Sequence, residues 1–348
     1  MTEALWTIGS TGTLAAYDGW TSAPAAQLDP GLPADQWPSL LSGGGLLWVY
    51  TSRGDLAIVD PAGGRVLTRL TVPQARMPGL VETSHAHGAL WFARDGELGR
   101  VTATGELTVT ELPDGFGAGT GLAPAVGATS DWLWLGSGDQ WPERGNRLLR
   151  VDPATGEITL SARLPGVHLD SLAAAPQGLV ATAVNRPDVF VLDPDTGALR
   201  WSTRLPDDSM IVTPYQAGDS LWAVGANGTA IRLGDSSTPI AATVAFGDDS
   251  IDYHTATGLG SLWIADEIES TVIRVDADTG HILARIPVTC GEPDDPAFHP
   301  VTGETTVWVV DYNGADGVSR IDPATSQAVR VRESGGDGCA AAVGPAPG

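Results

Sequence analysis

An apolar pair, in most copies Leu followed by Trp, returns along the chain at Leu5 and Trp6, Leu47 and Trp48, Leu90 and Trp91, Leu133 and Trp134, Leu179 and Val180, Leu221 and Trp222, Leu262 and Trp263, and Val307 and Trp308. Successive copies are 42, 43, 43, 46, 42, 41 and 45 residues apart. A repeat of that length without helical periodicity is the length of one four-stranded blade, and few other architectures can use it.

The clearest copy runs to Pro287. A short run with Asp252, Tyr253 and His254 leads to a turn at Gly258 to Ser261, and a second run climbs through Leu262 and Trp263 to Asp266. A third run, Thr271 to Val275, enters Asp276 to Gly280, where Asp can bond the backbone ahead of it and Gly can supply a positive φ. A fourth alternating run follows from His281 to Val288. The same turn returns at Asp60 to Gly64, Asp152 to Gly156, Asp193 to Gly197 and Asp322 to Ser326.

These runs predict an all-β, eight-bladed β-propeller over 1–348, with blades starting near 5, 47, 90, 133, 179, 221, 262 and 307. The first unit lacks an inner strand and the last is followed by an extra strand-like run, 339–343. Pairing that run with the N-terminal strands would close the ring and hide two edges that otherwise invite aggregation.

Charge narrows the partners. The chain has 42 acidic residues against 19 basic ones, a formal net charge of −23, and every basic residue is Arg. Nucleic acid and anionic membranes are disfavoured as partners. Without Lys there is no Schiff-base chemistry and no phosphate-loop lysine. Cys290 and Cys339 make neither a disulfide framework nor a metal motif. No apolar run approaches a membrane span, and MTEALWTIGS does not read as a signal peptide, so a cytoplasmic location is expected.

Aligning the blades on the Leu of the second strand exposes the chemistry. Eight residues earlier stand Ser39, Glu82, Ala125, Ser171, Thr213, His254 and His299; four residues later, only two blades carry an acid, Asp266 and Asp311. They are the two blades with His. If each His faces the Asp of its own hairpin, the carboxylate fixes the imidazole tautomer and makes the other nitrogen a better base or ligand. His254, Asp266, His299 and Asp311 are therefore the candidate catalytic residues, and nearby Asp252, Glu267, Asp294 and Asp295 are candidate ligands for a divalent cation such as Mg2+. A second reading stays open at this point, in which the pairs brace the blades. His85, His87 and Glu82 form a weaker cluster, read as polar residues of the channel rim, with Glu82 expected to pair with Arg94.

The copies LWVYTSRGDLAIVDPAGG, LWIADEIESTVIRVDADTG and VWVVDYNGADGVSRIDPATS resemble the streptogramin B (virginiamycin B) lyase family and its YncE-like relatives. The resemblance implies an acid-x-His at the start of an inner strand, matched by Asp252 and His254, and an acid ending the next strand, matched by Asp266, with magnesium nearby. Where that family takes a His from the preceding blade this chain has Thr213, and His299 of the following blade is the candidate substitute. A second stretch, VLDPDTGALRW, is similar to the tryptophan-docking repeat of quinoprotein dehydrogenases, but no other matching turn ends in Trp. The expectation is a central channel processing a neutral or cationic small molecule, as a metal-assisted lyase acting beside a carbonyl or as a hydrolase; the alternative is a non-catalytic ligand- or protein-binding ring.

Overall fold

The computed structural model describes residues 3–9, 11–33, 38–51, 53–72, 82–94, 96–113, 116, 121–126, 131–136, 147–164, 167, 169–175, 177–183, 186–206, 212–225, 227–247, 254–288, 298–311, 317–332 and 340–348. Strands are the only regular elements among them, and no helix is long and apolar enough to cross a membrane. Among the described residues, thirty-two strands form eight antiparallel four-stranded sheets. Seven sheets are built from consecutive strands. In the eighth, Ala340–Pro345 lies innermost beside Glu3–Ile8, with Val343 opposite Leu5, followed by Leu14–Asp18 and Pro24–Leu28. We number this closing sheet blade 1 and the others in chain order, so blade 7 begins at Thr255–Gly258 and blade 8 at Phe298–Thr302. Each innermost strand touches that of the next blade, and Phe298–Thr302 touches Ala340–Pro345, completing a ring of eight.

The repeated pair explains why blades stack. Its two residues point to opposite faces of the second strand, so each blade offers an apolar side chain to both neighbours. Leu262 packs with Trp222 and Val224 of blade 6, whereas Trp263 packs with Phe298, Val307 and Val309 of blade 8. Seven Trp of the pair are fully buried, and Val180 takes the place in blade 5. The indole N–H of Trp6, Trp48, Trp91 and Trp263 donates to a backbone carbonyl of its own blade. Trp134 and Trp222 instead donate to Pro194 and Ala277 of the following blade, at 2.9 and 3.0 Å.

The third-to-fourth turns close as the Asp and Gly pattern predicts. Gly156, Gly197 and Gly280 each donate N–H to the Asp carbonyl four residues back, at positive φ. Ser326 does the same with φ 54°, the one non-glycine of that set. These turns also receive the preceding blade. Arg274, on the third strand of blade 7, lies over the Trp263 ring at 4.8 Å and donates to Pro323 O and Ser326 Oγ in the turn of blade 8. Arg320 reaches the backbone of Gly19 and Trp20 in blade 1 in the same way.

Candidate functional site

His254 immediately precedes the innermost strand of blade 7, and its carbonyl accepts a hydrogen bond from Ala265 N at 2.8 Å, which carries the ladder one step beyond Thr255 and Ile264. The side chain is exposed. His299 occupies the matching place in blade 8, half-buried and opposite Val310. The two rings come together across the seam, with centroids 6.2 Å apart and planes inclined at 59°. Burial first, and then the neighbouring His254, push the His299 imidazole down to about 4, while Asp311 pulls it upward. At neutral pH His299 is therefore an uncharged imidazole, able both to donate and to accept a hydrogen bond.

The His and Asp expected to face one another across each hairpin are one residue out of register, although Asp311 still acts electrostatically on His299 of its own blade. His254 and Asp266, like His299 and Asp311, are twelve apart, but the intervening loops hold two residues in blade 7 (Leu259 and Gly260) and four in blade 8. Loops of even length pair residues an odd number apart, so the partners of His254 and His299 are Ala265 and Val310, eleven residues on. Each Asp consequently points to the other face of its sheet. Asp266 is in phase with Leu262 and Ile264, which pack on blade 6, and its Oδ1 accepts from Glu269 N at 3.2 Å. It closes the turn that leaves its strand. Asp311 is in phase with Val307 and Val309, which pack on blade 7. Both carboxylates are buried.

Of the candidate metal ligands, Glu267 is described: its Oε1 accepts Phe298 N at 3.0 Å, which ties the blade 7 turn to the inner strand of blade 8. Asp252, Asp294 and Asp295 lie outside the described residues. Among the described residues no group of three or more His, Cys, Asp or Glu could hold a metal ion. Two imidazole nitrogens do not amount to the oxygen-rich set that Mg2+ takes, so the described residues do not fit that ion.

A residue the sequence reading missed stands nearby. Burial raises the Tyr215 phenol, with the hydroxyls of Thr255 and Thr213 beside it and pulling the other way. Tyr215 thus touches the residue that follows His254 and stays a neutral hydrogen-bond donor. Its signal was position: it stands two residues beyond Thr213, on the same face of its inner strand. His85, read as a rim residue, instead tilts against Trp48 at 6.1 Å and abuts Gly43, where a Cβ would meet its ring at 2.2 Å. His87 and Gly88, both at positive φ, form the hairpin turn. A cavity of about 370 Å³ lies elsewhere, at the opposite ends of the inner strands of blades 8, 1 and 2, lined by Glu3, Ser42, Thr302, Glu304 and Val343 among others.

Comparison with known proteins bears on the architecture. A family model described as outer membrane protein assembly factor BamB matches residues 144–238. Apo AztD from Citrobacter koseri superposes with a TM-score of 0.69 at 11% identity, covering 100% of this chain and 99% of that one. The chain is an eight-bladed β-propeller. Its ring also resembles a catalytically inactive virginiamycin B lyase from Staphylococcus aureus with quinupristin, at TM-score 0.61 and 18% identity over 79% of this propeller and 92% of that chain. The dihydro-heme d1 dehydrogenase NirN matches at TM-score 0.68 and 13% identity, over 97% and 74%. No characterised protein matches the propeller at the level of sequence.

Proposed function

We propose that this propeller binds a small neutral or cationic molecule where blades 7 and 8 meet the axis, and acts on it by proton transfer through His254. The observation that carries the reading is the meeting of two imidazoles from adjacent blades at 6.2 Å, one exposed and the other held uncharged. In the lyase version an imidazole nitrogen of His254 takes the proton from a carbon beside a carbonyl. The C–H electron pair becomes the new double bond, the leaving group departs with its bonding pair, and the imidazolium returns the proton to it. His299 supplies a neutral hydrogen bond to the substrate. A second reading, a ligand- or protein-binding scaffold without turnover, draws support from the match of the BamB family model to blades 4 to 6.

The test uses quinupristin, the compound named with the similarly folded lyase, with and without Mg2+, together with a fragment library. Consumption is followed by chromatography and binding by the imidazole resonances of His254 and His299. His254→Ala and His299→Ala are expected to abolish turnover or binding while the denaturation midpoint stays put. Ligands that move the imidazoles without turnover in any condition favour the scaffold reading. If ligands collect at the cavity of blades 8, 1 and 2 and leave both imidazoles unmoved, the site assignment is wrong.

A further inference from the structure

The reading of His254 and His299 as one site leaves open which carboxylate serves it. We infer that the positioning carboxylate of the imidazole pair is Asp311, supplied across the seam from blade 8, and that Asp266 takes no part. This rests on the proposed site but can fail without it.

His254 stands opposite Ala265, and Ala265 packs in the seam with Phe298 and Val309 of blade 8. Residues directly opposite in an antiparallel pair project from the same face, so His254 looks into the seam between blades 7 and 8. On the other wall of that seam, Asp311 stands opposite Phe298 and in phase with Val309. Asp311 and His254 therefore approach one seam from its two walls, at the same edge of the two sheets. Asp266 is one register step away and faces blade 6, where it caps its own turn.

His299 completes the grouping. It lies on the opposite face of blade 8, in phase with Trp308 and Val310, which pack toward Leu5 and Tyr17 of blade 1. Yet its ring lies close to that of His254, and Asp311 attracts its positive form. One buried carboxylate thus acts on His299 and shares a seam with His254. A carboxylate so placed holds a ring N–H and leaves the remaining nitrogen for a substrate. This also gives the recurrence of Asp in two neighbouring blades two different meanings: in blade 7 it ends a strand, in blade 8 it faces chemistry.

The ring nitrogens of uniformly 15N-labelled full-length protein report the arrangement at pH 7.5 without any ligand. Asp311→Asn is expected to shift the tautomer ratio of at least one of the two rings by roughly fivefold or more, the scale of a charge-assisted hydrogen bond. Asp266→Asn is expected to leave both ratios unchanged. Should Asp311→Asn fail to fold, the unmodified protein still decides: an imidazole N–H with a nuclear Overhauser effect to the Asp311 β-protons, and none to those of Asp266, is expected. A tautomer shift in Asp266→Asn alone, no shift in either folded variant, or the absence of that contact in the unmodified protein overturns the assignment. Loss of turnover with quinupristin tests the proposed function and does not touch this result.

Discussion

Glu3 joins the closing blade to its neighbour, and removing its carboxylate should weaken the ring where its two chain ends meet. The side chain starts the second strand of blade 1, is 6% exposed, and crosses to the inner hairpin loop of blade 8. There Oε1 accepts from Thr305 N at 3.1 Å, Thr305 Oγ1 at 2.7 Å and Thr306 Oγ1 at 2.9 Å, and Oε2 accepts from Glu304 N. The approach is close enough that a Cβ on Gly303 would meet Oε2 at 2.5 Å. A hydrogen bond to a charged group contributes a net stabilisation of about 1.5–3 kcal/mol. Glu304 and Thr305 are exposed and regain water on truncation, so the four do not add. The buried Thr306 hydroxyl does not regain it. The expected cost of Glu3→Ala is therefore about 3 kcal/mol, the sum of one stranded buried donor and the partial loss of three others. With a urea slope of about 3 kcal/mol/M for a chain of this size, the midpoint falls by about 1 M. Glu3→Gln should recover part of the loss, because its amide oxygen can take the place of Oε1 while its N–H group faces the Glu304 N–H.

The same carboxylate gives a pH signature with a definite sign. Burial pushes the Glu3 carboxyl upward, but the bonds from Thr305, Glu304 and Thr306 outweigh it and hold it below its ordinary value of 4.5. A depressed folded value means the stabilisation is fully present above 4.5 and disappears as pH falls through the folded value. The gap between wild type and Glu3→Ala should then be constant from about pH 6 to 8 and narrow below about 4.5. Equilibrium urea unfolding at several pH values measures it. A midpoint shift below about 0.2 M at pH 7, or a gap that persists undiminished at pH 3, refutes the reasoning.

Two further outcomes test packing, one inside a blade and one across a seam. Gly99→Ala places a Cβ 1.9 Å from Phe92 Cζ, so it should destabilise by about 1–3 kcal/mol in thermal unfolding, and Phe92→Leu in the same chain should restore part of the loss. Arg274→Lys cannot keep the bonds to Ser261 Oγ, Pro323 O and Ser326 Oγ together with the stack on Trp263, and should cost nearly as much as Arg274→Ala, about 1–2 kcal/mol by denaturant midpoint.

What the sequence disclosed follows from where each signal is written. The Leu and Trp of the second strand, and the Asp and Gly of the third-to-fourth turn, act within one blade at short range, so each copy carries the whole signal. Blade count, turn chemistry and ring closure were legible for that reason. Closure was placed at 339–343, and the strand is Ala340–Pro345, a shift at the element's ends that leaves its partner Glu3–Ile8 unchanged. Even Ser326, which lacks the glycine, was found by its Asp322 and the residues around it. The imidazole pair was found in the same way, because His254 and His299 hold equal positions in successive copies.

The face on which each carboxylate stands was not legible in the spacing, because facing direction depends on parity. A twelve-residue separation joins across a hairpin only if its loop has an odd number of residues, and the loops here have two and four. No composition signal near His254 reveals that count; the Leu259 and Gly260 pair, both at positive φ, is the turn that fixes it. The consequence is general for this ring. A repeat aligned on itself compares each residue with its equivalents in other blades, whereas a residue near the axis meets partners from the next blade, displaced by one whole repeat and by one phase of the strand. On the proposed assignment His254 therefore takes its carboxylate, Asp311, from the next blade, a partner that alignment of the repeats cannot supply because it pairs His254 with Asp266.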